Sequence, residues 1–177
     1  MENTLNRSVG CAIVVPFAFD RSTTIHMGTD RLVPEGMIRV ERDFDSTLDC
    51  VDEAESLILE TASRSGFDED DQHHISMAAR ECLVNAVVHG NRYNANKKVH
   101  VEVEGSPERM RIVIRDQGEG FELNELPDPL AEENLLRHSG RGIFLIRAFM
   151  DEFNVRKVSP HGTEVTLVKE RGRNEDK

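Results

Sequence analysis

Glu81-Cys82-Leu83-Val84-Asn85-Ala86-Val87-Val88-His89-Gly90 is the stretch on which the reading of this chain turns. Ile75, Ala78, Ala79, Cys82, Leu83 and Ala86 recur at the spacing of one helical face, and Asp68 to Asp71 supply acidic residues suited to the positive end of a helix dipole. Gly90 ends the pattern. Glu81 and Asn85 are four residues apart and so share a face, and His89 continues the row. All three flank the apolar stripe, which puts a carboxylate and a carboxamide at the rim of a core. Such a pair can accept a proton and hold a hard cation in a pocket wall, although a solvated helix rim carries the same residue types.

Working outward, Ile38, Val40, Arg42 and Phe44 alternate with Arg39, Glu41 and Asp43, the two-residue period of a strand, with Arg42 as its one polar inner position. Ser46 offers an N-cap to a helix in which Leu48, Val51, Ala54, Leu57, Ile58 and Ala62 recur until Gly66. Beyond Gly90, Val99, Val101 and Val103 alternate with His100, Glu102 and Glu104, and Met110, Ile112 and Ile114 with Arg111, Val113 and Arg115, across a Gly-Ser-Pro-Glu turn that makes a hairpin. Gln117 to Ser139 reads as a long loop of the kind that covers a ligand. A third helix is expected from Gly142, with Ile143, Leu145, Ile146, Phe149 and Met150. Two strands, near Glu152 to Val158 and Thr163 to Lys169, are joined by Ser159-Pro160-His161-Gly162.

The chain has 177 residues, enough for one core, and 33 acidic against 22 basic residues give a net charge of -11. That charge repels phosphodiester backbones and anionic lipid, so nucleic acid is not expected as a partner. Cys11, Cys50 and Cys82 form an odd set with no C-x-x-C pair, which points to a reducing, cytoplasmic compartment rather than a disulfide framework or zinc knuckle. The apolar run Cys11 to Phe19 is broken by Pro16 and is about half a membrane span, and it lacks a basic leader, so neither a membrane segment nor a signal peptide is expected. His73 and His74 read as surface residues, and the remaining lone histidines show no metal-ligand spacing.

Two further features accompany the helix. Asp116 closes the third strand and precedes Gly118 and Gly120; a carboxylate at a strand end can accept from an exocyclic amine, and the glycines permit close backbone approach, though a Gly-rich turn after a strand is common. Gly140-Arg141-Gly142 stands directly before the third helix, an arrangement that presents backbone N–H groups and a cation to a phosphate, or that serves as a plain glycine hinge. It is the order of the three together that carries weight.

That order, followed by Gly162-Thr163 at the last strand, resembles the GHKL ATPase superfamily with its N, G1 and G2 boxes, over about Met37 to Lys169. Within it the chain is most similar to the stand-alone anti-sigma-factor serine/threonine kinases, through Glu81 to Gly90 and Ser139-Gly140-Arg141-Gly142-Ile143-Phe144-Leu145-Ile146. The resemblance implies an α+β, two-layer sandwich, with about three helices on one face of a mixed, mainly antiparallel sheet. It implies ATP and Mg²⁺ as cofactors, Glu81 as catalytic base and Asn85 as Mg²⁺ ligand. His89 joins the nucleotide-binding row, Asp116 contacts adenine, and Gly118 and Gly120 shape the pocket. Gly140, Arg141 and Gly142 meet the phosphates, and Thr163 lies beside the adenine.

The expected organisation is an irregular, unassigned arm over 1–36, the kinase domain over 37–169 and a frayed charged tail over 170–177. The expected partners are an anti-sigma-factor antagonist that is phosphorylated and a sigma factor, together with a second copy of the chain. A different class of function, an ATP-bound module that sequesters a regulator without turnover, would need the Mg²⁺ ligand but no base at Glu81. A detached sensor histidine kinase domain is disfavoured, because no helical hairpin for a histidine acceptor precedes the domain.

Overall fold

Five strands and three helices are present in a computed structural model that describes residues 36–120 and 138–172, with the backbone alone for 138–141. In chain order they are β1 (Ile38–Asp45), α1 (Asp49–Arg64), α2 (Glu69–Asn85), a π-helical turn (Ala86–Gly90), β2 (Lys98–Gly105), β3 (Arg109–Arg115), α3 (His138–Phe149), β4 (Glu152–Lys157) and β5 (Thr163–Glu170). The strands form one sheet in the order β1-β2-β3-β5-β4.

The register explains why the alternating residues work as strands. Val40 faces Val103, Val103 faces Ile112, and Ile112 faces Leu167, so one row of apolar side chains crosses four strands on a single face. The helices cover that face, and Ile58, Ile75, Leu83, Ile112, Ile114, Ile146 and Leu167 are buried together in one core. Truncating a residue such as Leu83 to Ala would leave a cavity costing about 2–5 kcal/mol. All four strand pairings are antiparallel, so the described sheet is not mixed as expected. Arg42, the polar inner position of β1, stacks its guanidinium 4.7 Å from the Phe44 ring centroid and reaches Glu53 of α1 at 3.4 Å. A charge is tolerated there because its stem covers the sheet edge while its head is paired.

Helix boundaries depart from expectation in two places. Ser46 does not cap α1: the chain turns through Thr47, whose N–H donates to the Asp45 carbonyl at 2.8 Å, and α1 begins at Asp49 with no side-chain cap. The third helix begins at His138, so Gly140, Arg141 and Gly142 lie inside its first turns rather than before them. Glycine is cheapest to place there, because the first four N–H groups of a helix have no intrahelical partner in any case. The expected loop over Gln117–Ser139 therefore ends before His138, and its residues 121–137, like the arm 1–35, lie outside the described residues. By contrast Asp68 caps α2 as its acidic start suggests, accepting from the Asp71 N–H at 2.9 Å. His74 is not a plain surface residue, for its ring stacks on Phe149 of α3 at 4.5 Å.

The sheet face turned away from the helices is a lattice of charge. Arg39 meets Glu102 at 2.8 Å, and Glu164 is gripped from both sides by Arg115 and Arg156. Burial works to raise the Glu164 pKa, but hydrogen bonds from Arg156 and Arg115 outweigh it and hold the carboxyl below its ordinary range. Since the Arg115–Glu164 register pair sits next to Asp116 and Thr163, this clamp fixes the strand junction from which the site is built. A carboxylate whose folded pKa is depressed stabilises the fold above its unfolded pKa, and that contribution is lost as pH falls through the folded value. Glu164→Gln should therefore lower Tm at pH 7, and the gap to the wild type should close as pH is lowered through the carboxylate range. A gap that stays constant with pH in thermal melts would contradict the clamp.

Candidate functional site

The site begins where α2 changes pitch. After Asn85 the helix widens into the π turn Ala86–Gly90, closed by the Asn91 N–H to the Ala86 carbonyl at 2.7 Å and the Tyr93 N–H to the Val87 carbonyl at 3.0 Å. Such single π turns re-aim the residues that follow a helix. Here the wider turn carries Gly90 against Asp116: a Cβ at position 90 would fall 2.5 Å from Asp116 Cγ, so any side chain there would push the two elements apart.

Asp116 is buried, 7% exposed, just past the end of β3. Its Oδ1 accepts from the Gly118 N–H at 2.7 Å and the Thr163 N–H at 3.2 Å, while its own N–H donates to the Thr163 carbonyl at 3.0 Å. The carboxylate thus ties the end of β3 to the start of β5. Asn91, 1% exposed, completes the junction, accepting from the Gln117 N–H at 2.8 Å and donating to the Lys98 carbonyl at 2.9 Å.

Beside this junction lies a cavity of about 280 Å³. Ile114, Ile143, Ile146, Phe153, Val155 and Val165 give it apolar walls, and Asn85, His89, Asp116 and Thr163 are its polar lining. Thr163 is 2% exposed and its Oγ1 has no hydrogen-bond partner among the described residues, a buried polar atom of the kind a bound group satisfies. Apolar walls with a carboxylate and an unpaired hydroxyl at one end fit a planar heterocycle that carries N–H and ring nitrogen at its edge. Cys82 also lines the cavity; burial drives its thiol pKa well up, so it stays neutral and acts as a small apolar wall.

Glu81 stands one helical turn before Asn85, and the Asn85 Nδ2–H donates to Glu81 Oε1 at 3.0 Å. This bond orients the carboxylate and turns the carboxamide oxygen of Asn85 away from it. On its other side Glu81 is abutted by α3, for a Cβ at position 142 would come 2.7 Å from Glu81 Cγ and closer still to its carboxylate. Gly142 is thus where α3 packs against Glu81.

The structure brings Glu81, Asn85, His89, Asp116, Gly118, Gly142 and Thr163 to this one region, with His89 exposed at its rim. Gly120 has φ +78° and lies against the Gly162 carbonyl group. Gly140 and Arg141 fall in the first turn of α3. Sequence reading missed Gly90, Asn91 and the apolar walls contributed by β3, β4 and β5. The first two stand directly after His89, and a lone Asn following a helix-ending glycine is the signal that could have found the junction.

A family model for the histidine kinase-like ATPase domain matches residues 44–169, and the chain belongs to that family. The serine-protein kinase RsbW of Staphylococcus epidermidis is 34% identical over 114 residues, which span 60% of this chain and 70% of that protein. The protein of the same name from Staphylococcus aureus strain Newman is 33% identical over the same length and shares. Among solved structures, the RsbU and RsbW domains of Rv1364c from Mycobacterium tuberculosis superpose with a TM-score of 0.56 at 19% identity over 77% of this chain, a likeness of fold. This chain spans 33% of that one.

A buried hydrogen bond to a charged acceptor is worth about 1.5–3 kcal/mol. Asp116→Asn, which keeps an oxygen for the two backbone N–H groups, should leave Tm near the wild-type value and weaken ATP and ADP by about 10- to 100-fold each. Calorimetric titration checks this, and an equal loss for GTP would show that the residue does not read the adenine edge.

Proposed function

We propose that the chain is an ATP-dependent protein serine/threonine kinase that acts as an anti-sigma regulatory factor and phosphorylates a partner antagonist protein. The observation that carries this reading is the placement of a Glu81 carboxylate, fixed by Asn85 and Gly142, beside a cavity whose far end is the Asp116–Thr163 junction. A module that only clamps nucleotide has no use for a carboxylate held in this way.

In this reading Asp116 accepts from the exocyclic amine of adenine and Thr163 supplies its unpaired hydroxyl to the same ring, with Gly118 and Gly120 shaping the floor. Gly140, Arg141 and Gly142, in the first turns of α3, face the phosphates, where helix N–H groups and the dipole favour negative charge. The oxygen of Asn85 that is not turned toward Glu81 is the Mg²⁺ ligand, and His89 extends the same wall. When bound, the ion offsets phosphate charge that a chain of net charge -11 would otherwise repel. Glu81 takes the proton of the acceptor serine as its oxygen bonds to the terminal phosphorus and the bond to the departing ADP oxygen breaks. The partners are the antagonist that carries this serine and a sigma factor. Self-association is assigned to β1, an edge strand of the sheet. No helix among the described residues is long and apolar enough to cross a membrane.

Transfer of labelled phosphate from ATP to a candidate antagonist tests the reading. Glu81→Gln should lower that rate by about 10²- to 10⁴-fold with ATP affinity and partner binding little changed. Transfer at the wild-type rate would leave the non-catalytic module as the better description. Gly142→Ala should also slow transfer, by displacing the Glu81 carboxylate. Because Asp is one methylene shorter, Gly142→Ala with Glu81→Asp should be faster than Gly142→Ala alone. Additive losses in the double variant would show that the packing of α3 against Glu81 is unimportant.

A further inference from the structure

The seam between α2 and α3 can be read in register. Gly142 meets Glu81 at one end and Phe149 stacks on His74 at the other, so residues 142–149 of α3 run antiparallel to residues 74–81 of α2. One step in from Glu81, position 145/146 of α3 therefore lies across from position 77/78 of α2. The inner pair, Ile146 and Ala78, is sealed in the core at 1% exposure each. The outer pair is not: Met77 and Leu145 are each 37% exposed, and Phe144, next in the chain, is 49% exposed. Met77 and Leu145 are thus left partly in solvent beside the seam, Met77 four residues or about 6 Å of helix rise before Glu81, whereas Phe144, two residues from Gly142, points off the seam. Arg147 is exposed on the same helix. The remaining exposed large apolar residues among those described, Met37, Leu48 and Tyr93, belong to β1, the start of α1 and the loop after the π turn.

Resting on the kinase reading, we infer that Met77 and Leu145 form the docking step for the acceptor protein, which lays an apolar side chain on them beside its serine. The geometry requires a cover of this kind. A serine Oγ that hydrogen-bonds Glu81 must come within about 3 Å of it, and a folded protein delivering that atom spreads its surface over residues a single turn away. Met is also among the residue types enriched in protein interfaces. The acceptor is therefore recognised by an apolar anchor, at a place separate from the nucleotide cavity, whose lining contains neither of these residues.

The test uses the full chain and the purified antagonist that the wild type phosphorylates. Met77→Gln with Leu145→Gln should raise KM for that antagonist about tenfold or more, while ADP affinity and Tm stay at wild-type values, which also shows that the variant is folded. A photo-crosslinking residue at position 77 should capture the same antagonist, also in the Glu81→Gln background where transfer is slow. An unchanged KM with no captured antagonist overturns the docking step and leaves the kinase reading standing. Capture of a second copy of the chain instead overturns it in favour of a self-interface. Absence of transfer from the wild type to every candidate antagonist overturns the kinase reading and this inference with it.

Discussion

Three backbone segments converge on Asp116 at distances that no side chain would allow. Gly90 closes the π turn against it, Gly118 folds back so that a Cβ there would meet the Gly90 carbonyl carbon at 2.8 Å, and Gly162 has φ +123° with its Cα directed at the Asp116 backbone. The hydrogen bonds of Asp116 to Gly118 and Thr163 draw the ends of β3 and β5 together, and Asn91 adds the end of α2. Everything else about the site follows from this knot, because it sets where the cavity ends and how far the α2 row stands from it. The sheet contributes rigidity, with Glu164 clamped one residue from Thr163.

From the knot the chemistry is distributed along α2. In the proposed function Asp116 and Thr163 read the edge of a ring, Asn85 offers an oxygen, and Glu81 stands one turn further on. Four residues of helix rise about 6 Å, so a regular helix converts sequence spacing into the separation that the proposed cation ligand and proton acceptor need. The Asn85 to Glu81 hydrogen bond couples those two roles, since the amide that orients the carboxylate belongs to the residue whose oxygen remains for the ion.

Much of this was legible in the residues themselves. Val99 to Val103 alternate cleanly, and Met110 to Ile114 do so except at buried Val113, because one sheet face is covered by helices and the other carries mostly paired charge. The row Glu81, Asn85, His89 was legible for the same reason on a helix. Other features depend on partners distant in sequence. Ser46 reads as a cap, yet the chain makes a turn before α1, and its Oγ is buried without a partner among the described residues. Gly140 and Gly142 read as breakers, yet the first turn of a helix tolerates them and Glu81 requires one of them. Arg42 reads as a flaw in β1 until Phe44 and Glu53 are seen to receive it. The π turn has no sequence signature at all, and without it the role of Gly90 cannot be assigned.

The central claim is that the Asp116–Thr163 junction is the adenine-reading end of a nucleotide site. Amide NMR resonances of Gly118 and Thr163, whose N–H groups share Asp116 Oδ1, test it most directly. Addition of ADP should shift both strongly, while GDP at the same concentration leaves them in place. Shifts confined to other parts of the chain on saturation with ADP, or equal shifts with GDP, would contradict the account.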